Sequence, residues 1–249
     1  MNRFSNKTVL VTGGSSGIGL AAAKAYAAEG ARVVITGRNP EALDKAVAEI
    51  GSATIALRND AGSVADARAL AAQLSDRNLQ LDAVFLNAGV ARFSSLAGAT
   101  EALWDEIFDI NVKGLYFQIQ ALAPLLRKGA AIVINGSINA HIGMPNSSIY
   151  AASKAAVISM AKTLSAELLP QGARINVVSP GPIATPLYGK LGLDAATLAT
   201  TAAGIQNQVP LGRFGTPEEL ATTVLHLSAA ESGFIVGAEL IVDGGMTQL

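Results

Sequence analysis

The sequence predicts an α/β protein of one domain, built on a doubly wound parallel sheet of about seven strands. Three observations carry that expectation. Short β-rich runs alternate with longer, Ala-rich segments of helical period along all 249 residues, which implies parallel βαβ units. The strand candidates are continuous apolar runs, as expected when helices cover both faces of a sheet. No repeat, linker or low-complexity segment interrupts the pattern, and α/β folds of this length commonly form one domain.

Taken in order, KTVLVTG (7–13) leads into a helical segment at 17–29. ARVVITG (31–37) precedes PEALDKAVAEI (40–50), where Pro40 suits a first helical turn. ATIALRND (53–60) precedes a helix at 63–75, and LDAVFLNAG (81–89) precedes a helical stretch at 101–127. AAIVINGS (130–137) is followed by a helix over about 150–169. RINVVSPG (174–181) and AELIVDGG (238–245) complete seven strand candidates. Pro217, Glu218 and Glu219 read as a first helical turn that suits the helix dipole. The stretch at 180–215, rich in Pro, Gly and Thr, reads as irregular, and 186–207 within it as a substrate loop that closes over a site.

Composition excludes several functions. Half the residues are apolar and 15% charged, an ordinary globular balance. Eighteen Lys and Arg against nineteen Asp and Glu leave a net charge of −1, so no basic excess awaits a nucleic-acid backbone. The absence of cysteine removes disulfides, thiolate nucleophiles and Cys-ligated zinc. His141 and His226 lack metal-ligand spacing, so no catalytic metal is expected. The start, MNRFSNKTVLVTGG, lacks a signal-like apolar region, and no 18-residue apolar run occurs. A cytoplasmic protein without a membrane segment is the expectation.

The first βα turn reads TGGSSGIG (12–19), with glycines at 13, 17 and 19. Bare backbone there lets a pyrophosphate approach, and a helix N-terminus offers it free N–H groups and a positive dipole end. The spacing is not G-x-G-x-x-G, and glycines also serve any tight turn, but this is the first turn of a doubly wound sheet. An acidic residue about twenty positions on would bind a ribose 2′-hydroxyl. Gly37 and Arg38 stand there instead. A guanidinium binds a 2′-phosphate through charge-assisted bonds, so Arg38, with Ser15 and Asn39, favours NADP over NAD; a surface arginine starting a loop is the plainer alternative. Further on, SIYAASKAAV (148–157) sets Tyr150 and Lys154 on one helical face. Taken alone, that pair reads as an interfacial tyrosine beside a solvated lysine.

The Thr-Gly-x-x-x-Gly-x-Gly turn, Asp60, NAG at 87–89, Asn111, Ser137, Tyr150-x-x-x-Lys154, PGPIAT at 180–185 and the VDGG ending occur in one order along the chain. With these the sequence resembles the short-chain dehydrogenase/reductase family over its whole length, as a short, NADP-preferring carbonyl reductase or alcohol dehydrogenase. The resemblance implies a Rossmann-type sheet, NADP(H) across its C-terminal edge, and hydride transfer between ketone and secondary alcohol. It places Gly13, Ser15, Ser16, Gly17, Ile18, Gly19, Arg38 and Asn39 around the phosphates. Asp60 would meet the adenine, and Asn87, Ala88 and Gly89 the adenosine side. Pro180, Gly181, Ile183 and Thr185 would hold the nicotinamide, beside Tyr150 and Lys154. Two segments depart from the common pattern: NGSIN replaces the commoner run of serines, and the third strand ends RNDA. The longer Tyr-to-Lys spacing of enoyl reductases is absent, which argues against C=C reduction. A homotetramer through 101–127, 150–169 and the C-terminal segment is also implied. Some relatives place a divalent cation at the chain terminus; here it reads GGMTQL, and no metal is assigned.

The resemblance gives the four catalytic candidates their roles. Tyr150 would act as general acid in reduction and general base in oxidation. Ser137 would hold the substrate oxygen, Asn111 would position a water, and Lys154 would lower the phenol pKa and hold the ribose. Lowering a phenol from about 10 to about 7 takes about 4 kcal/mol. A charge about 4 Å away supplies about 4 kcal/mol at an effective dielectric near 20. Burial opposes it, so the positive charge of the oxidised nicotinamide is the expected helper. Ile138, Asn139, Gly143, Met144, Leu187, Tyr188, Leu191 and Leu193 are candidates for the substrate wall, with Ala91, Phe93 and His141 as further ones. They are mostly apolar and include no Lys or Arg cluster, which favours a neutral, fairly hydrophobic ketone or alcohol. A carrier-linked 3-oxoacyl reductase is the alternative and calls for a basic patch at the site mouth. A nonenzymatic NADP-sensing protein is a third reading, for which the four-residue set is unnecessary. His226 is expected partly buried on a helix, and Trp104 in helix packing.

Overall fold

The computed structural model describes residues 2–185 and 194–249. Seven parallel strands form one sheet: β1 (Thr8–Val11), β2 (Arg32–Gly37), β3 (Ile55–Arg58), β4 (Leu81–Leu86), β5 (Leu126–Asn135), β6 (Arg174–Pro180) and β7 (Glu239–Val242). Their order is β3-β2-β1-β4-β5-β6-β7, the doubly wound arrangement that the alternating pattern predicts. The chain reverses its direction of winding between β1 and β4, and in such sheets the crevice at that switch is where ligands bind.

Helices fill both faces, which is why the middles of the strands are apolar, with the charged residues at or near strand ends. One core cluster joins Leu10, Val84, Ile132 and Ile175 of the sheet to Leu70 and Leu74 of α3 (Val64–Asp76), Ile119 of α5 (Leu115–Leu122) and Val157 of α6 (Ser148–Leu168). The other joins Val9, Ile35, Phe85 and Val133 to α1 (Gly17–Ala28), α2 (Pro40–Ile50) and α8 (Pro217–Ser228) through Ala22, Leu43 and Val224. Asn39, Ser63 and Thr216 cap α2, α3 and α8 with side-chain oxygens, each satisfying an N–H that the helix leaves unpaired. Thr216 and Glu219 form a full capping box, so Glu219 serves the cap as well as the dipole.

Two segments and one residue differ from the sequence expectation. The helical stretch at 101–127 is α4 (Glu101–Phe108), a π-helical segment Asp109–Gly114, α5 and a short 3₁₀ turn, and β5 already begins at Leu126. The region read as irregular contains α7 (Ala195–Gln208); its Thr and Gly residues weaken the helical signal, whereas the segment 186–193 lies outside the described residues. His226 sits on α8 but is exposed, not partly buried. Trp104 stacks on Phe108, ring centres 4.6 Å apart and nearly coplanar, as a helix-packing residue would.

Candidate active site

The turn after β1 passes through Gly13 at φ +64° and Gly17 at φ +53°, backbone that an L side chain strains to adopt. The helix α1 then starts at Gly17 with no side-chain cap on its N-terminus and no acidic residue in its first turn. Its N–H groups and dipole are therefore available to an anion. A Cβ on Gly19 would collide with the Gly13 carbonyl and lie 2.6 Å from Asn87 Nδ2, so this closeness of turn and β4 end requires glycine.

A chain of hydrogen bonds runs from this turn across the sheet. Thr12 Oγ1 accepts from the N–H groups of Asn87 and Ala88, each at 3.0 Å. Asn87 Nδ2 donates to the carbonyls of Thr12 (3.1 Å) and Gly13 (3.3 Å). Asn135 Nδ2 donates to Asn87 Oδ1 at 3.0 Å, and Lys154 Nζ donates to the Asn135 carbonyl at 2.7 Å. The glycine turn, the β4 end, the β5 end and α6 are thus joined by one chain of hydrogen bonds. Among the described residues, Asn135 Oδ1 is the buried side-chain oxygen without a hydrogen-bond partner.

Tyr150 and Lys154 lie on the first turns of α6, and Ser137 follows β5. Lys154 is 7% exposed and, among the described residues, has no ion-pair partner, so burial pulls its pKa down to about 8. Burial pushes the Tyr150 phenol above its ordinary value, while the Ser137 hydroxyl pulls it down. The expected lowering by Lys154 is not among the dominant influences: its Nζ lies 5.8 Å from the Tyr150 ring centre and is spent on the Asn135 carbonyl. Ser137 Oγ accepts from Asn139 N at 3.2 Å and donates to Asn139 Oδ1 at 3.3 Å, so Asn139 orients the hydroxyl.

Asn111 sits in the π-helical segment. Its Oδ1 accepts from Val90 N, and its Nδ2 donates to the Val90 carbonyl, both at 2.9 Å, and to Ser153 Oγ at 3.1 Å. Ser153 Oγ donates to the Tyr150 carbonyl at 2.7 Å. The Asn111 side chain is therefore satisfied by Val90 and Ser153 and fastens the β4 loop to α6. Gly89 has a parallel role, since a Cβ there would lie 3.0 Å from Asn111 Oδ1.

The remaining cofactor candidates also lie at the C-terminal ends of strands. Asp60 Oδ1 accepts from Gly62 N at 3.0 Å. Gly181 closes on Asp243, whose Cα would be 2.7 Å from an added Cβ, while Ile183 bridges to Gly215 and Thr185 follows. Arg38 is exposed beside Gly37. A free helix N-terminus, bare glycine backbone and an unpartnered buried amide oxygen along one sheet edge fit a dinucleotide. Ser15, Ser16, Asn39 and Ala88 lie in the turns of this rim, Ile18 in the first turn of α1, and Pro180 ends β6.

On the substrate side, Phe93 meets Tyr150 edge-on with ring centres 5.9 Å apart, and Asn139 Nδ2 donates to Met144 Sδ at 3.5 Å. Ile138 is buried and Gly143 exposed. Leu187, Tyr188, Leu191 and Leu193 lie outside the described residues. His141 is tied elsewhere: its Nε2 is 2.7 Å from Glu239 Oε1, which also accepts from Ser179 Oγ at 2.5 Å. Sequence reasoning misses Glu239, Ser179, Asn135 and Ser153, because each acts through a partner distant in the chain or through backbone. Among the described residues no three His, Asp or Glu side chains group as metal ligands, and no helix is long and apolar enough to cross a membrane.

Comparison with known proteins places this geometry among relatives. Residues 13–247 match a family model described as enoyl-(acyl carrier protein) reductase. The chain is 36% identical to a cyclopentanol dehydrogenase of Comamonas sp., over 99% of each chain. It is 34% identical to an NADP-dependent (R)-specific alcohol dehydrogenase of Lentilactobacillus kefiri, over 99% of this chain and 98% of that one. A solved structure titled a putative betaketoacyl-ACP reductase is 39% identical, covers 99% of this chain and 100% of its own, and superposes with a TM-score of 0.84.

Proposed function

Because the chain belongs to the short-chain dehydrogenase/reductase family, and is thereby an oxidoreductase of alcohol and ketone groups, we propose that it is NADPH-dependent and interconverts a neutral, fairly hydrophobic ketone and its secondary alcohol. One observation carries this reading: Tyr150, Ser137 and the buried Lys154 converge beside a glycine turn linked to them by the Thr12–Asn87–Asn135 hydrogen bonds. The NADP preference is supported by Gly37 and Arg38, where an acidic residue would repel a 2′-phosphate; among the described residues Arg38 has no ion-pair partner.

When bound, NADPH supplies the hydride that reaches the carbonyl carbon. Tyr150 gives its phenolic proton to the carbonyl oxygen, and the products are the alcohol and a Tyr150 phenolate. Ser137 donates a hydrogen bond to the same oxygen and stabilises the charge that develops on it. Lys154 holds positive charge near the phenolate, whose proton is restored from solvent. Residues of the glycine turn, Asp60, Asn87–Gly89, Pro180, Gly181, Ile183 and Thr185 hold the dinucleotide, and Asn139, Met144 and Phe93 face the substrate. A homotetramer is part of the proposal, supported by exposed Trp104 and Tyr116 on α4 and α5 and by exposed Leu240 and Leu249 at the C-terminal side.

The test is a panel of cyclic ketones, aryl ketones, β-ketoesters and acyl thioesters with NADPH and with NADH. Turnover of simple ketones with NADPH is the expected result. Turnover confined to acyl thioesters supports the carrier-linked alternative, and equal rates with both nucleotides refute the cofactor preference.

A further inference from the structure

We infer that Arg58, on the neighbouring strand, is the second arginine of the site that grips the 2′-phosphate of NADPH; this rests on the NADPH reading above and adds a residue to it. A phosphate monoester carries a charge of about −1.5 to −2 near neutrality, and Arg38 alone supplies one positive charge. The sheet register supplies the other. Gly37, the last residue of β2, pairs with Arg58, the last residue of β3. Two residues earlier Ile35 pairs with Ala56, and both pack into the core on the α1, α2 and α8 side. Side chains two apart on a strand share a face, so Arg58 stands on the α1 side of the sheet, the face on which Gly37 has no side chain.

The space at Gly37 has defined walls. A Cβ there would be 3.2 Å from Ser15 Oγ and 3.4 Å from Leu43 Cδ2. The Ser15 hydroxyl from the glycine turn therefore stands at the bare α-carbon of Gly37, with Arg58 paired beside it on the next strand and Arg38 following it in the chain. Parallel strands lie about 4.8 Å apart, a gap that an extended arginine crosses, and its planar fork suits phosphate. Nearby carboxylates are otherwise engaged: Asp60 Oδ1 takes Gly62 N, and Asp66 takes Asp60 N and Ser63 Oγ. Arg58 is exposed and, among the described residues, has no ion-pair partner. The arginine of β2, Arg32, is at the opposite end of the strand, paired with Thr8.

The test measures binding, not turnover. On the full chain, isothermal titration with 2′,5′-ADP and 5′-AMP, and nicotinamide-fluorescence titration with NADPH and NADH, compare wild type with Arg38→Gln, Arg58→Gln and Arg58→Lys. Wild type is expected to favour NADPH and 2′,5′-ADP. Arg58→Gln should weaken both about 10-fold, the loss typical of one charge-assisted contact, while NADH and 5′-AMP stay within twofold. Arg58→Lys, which keeps the charge without the fork, should recover part of the loss. If wild type favours the 2′-phosphate and Arg58→Gln retains that preference, or weakens all four ligands alike, Arg58 is not part of the site. If wild type binds the two nucleotides equally, the NADPH reading itself fails and Arg58 loses its role with it.

Discussion

Lys154 holds a charge where charge is costly, and this has a measurable sign. Its folded pKa of about 8 lies below the ordinary lysine value of about 10.4. Between these values the unfolded chain binds the extra proton, so stability rises with pH across that window. Below pH 8 both states are protonated and the burial cost is present in full. In cofactor-free protein, urea unfolding of wild type should therefore gain about 2 kcal/mol on Lys154→Met between pH 7 and 9.5. A constant difference across that range would show that Lys154 is not desolvated. At this scale the sequence was informative where chemistry is local. The four-residue spacing of Tyr150 and Lys154 follows from helix geometry, and both lie on α6. Asn135, which receives the Lys154 ammonium, was not legible, because it acts through a main-chain carbonyl 19 residues away. Nor was the bond between His141 and Glu239, 98 residues apart.

At the level of elements, the π-helical segment Asp109–Gly114 is the feature that helical periodicity conceals. A single inserted residue widens the turn while leaving the apolar pattern helical, so 101–127 reads as continuous; such bulges occur often at functional sites. Here the segment brings Asn111 against Val90 and Ser153. Gly114, at its end, permits the approach to the loop after β3: an added Cβ would collide with the Ala61 carbonyl. Gly114→Ala should destabilise the chain by about 1–3 kcal/mol through overpacking, read as a lower urea midpoint with an unchanged slope. A midpoint equal to wild type would mean that the segment has slack and does not fix Asn111. Strand ends were the least legible boundaries for a related reason. The motifs at 60, 87–89, 137 and 181 continue the apolar runs, but their residues leave the sheet to form the site.

For the molecule as a whole, alternation of apolar runs and helical segments was enough to predict seven parallel strands, because only helices on both faces allow such strands. Strand order and register were not written in that pattern; they emerge from packing the two core clusters. The order matters for function because β1, β4 and β5 are adjacent, which lets Thr12, Asn87, Asn135 and Lys154 form one line of hydrogen bonds. That line joins the surface suited to a dinucleotide to the groups suited to proton transfer. Neither half alone accounts for a phenol and an ammonium on one helix face. Tyr150→Phe removes the proton donor and leaves the packed ring, so it separates the two halves. NADPH affinity and ketone turnover, measured together on Tyr150→Phe and wild type, should show binding within twofold and turnover reduced at least about 100-fold; undiminished turnover with intact binding would contradict the assignment of Tyr150 as the acid.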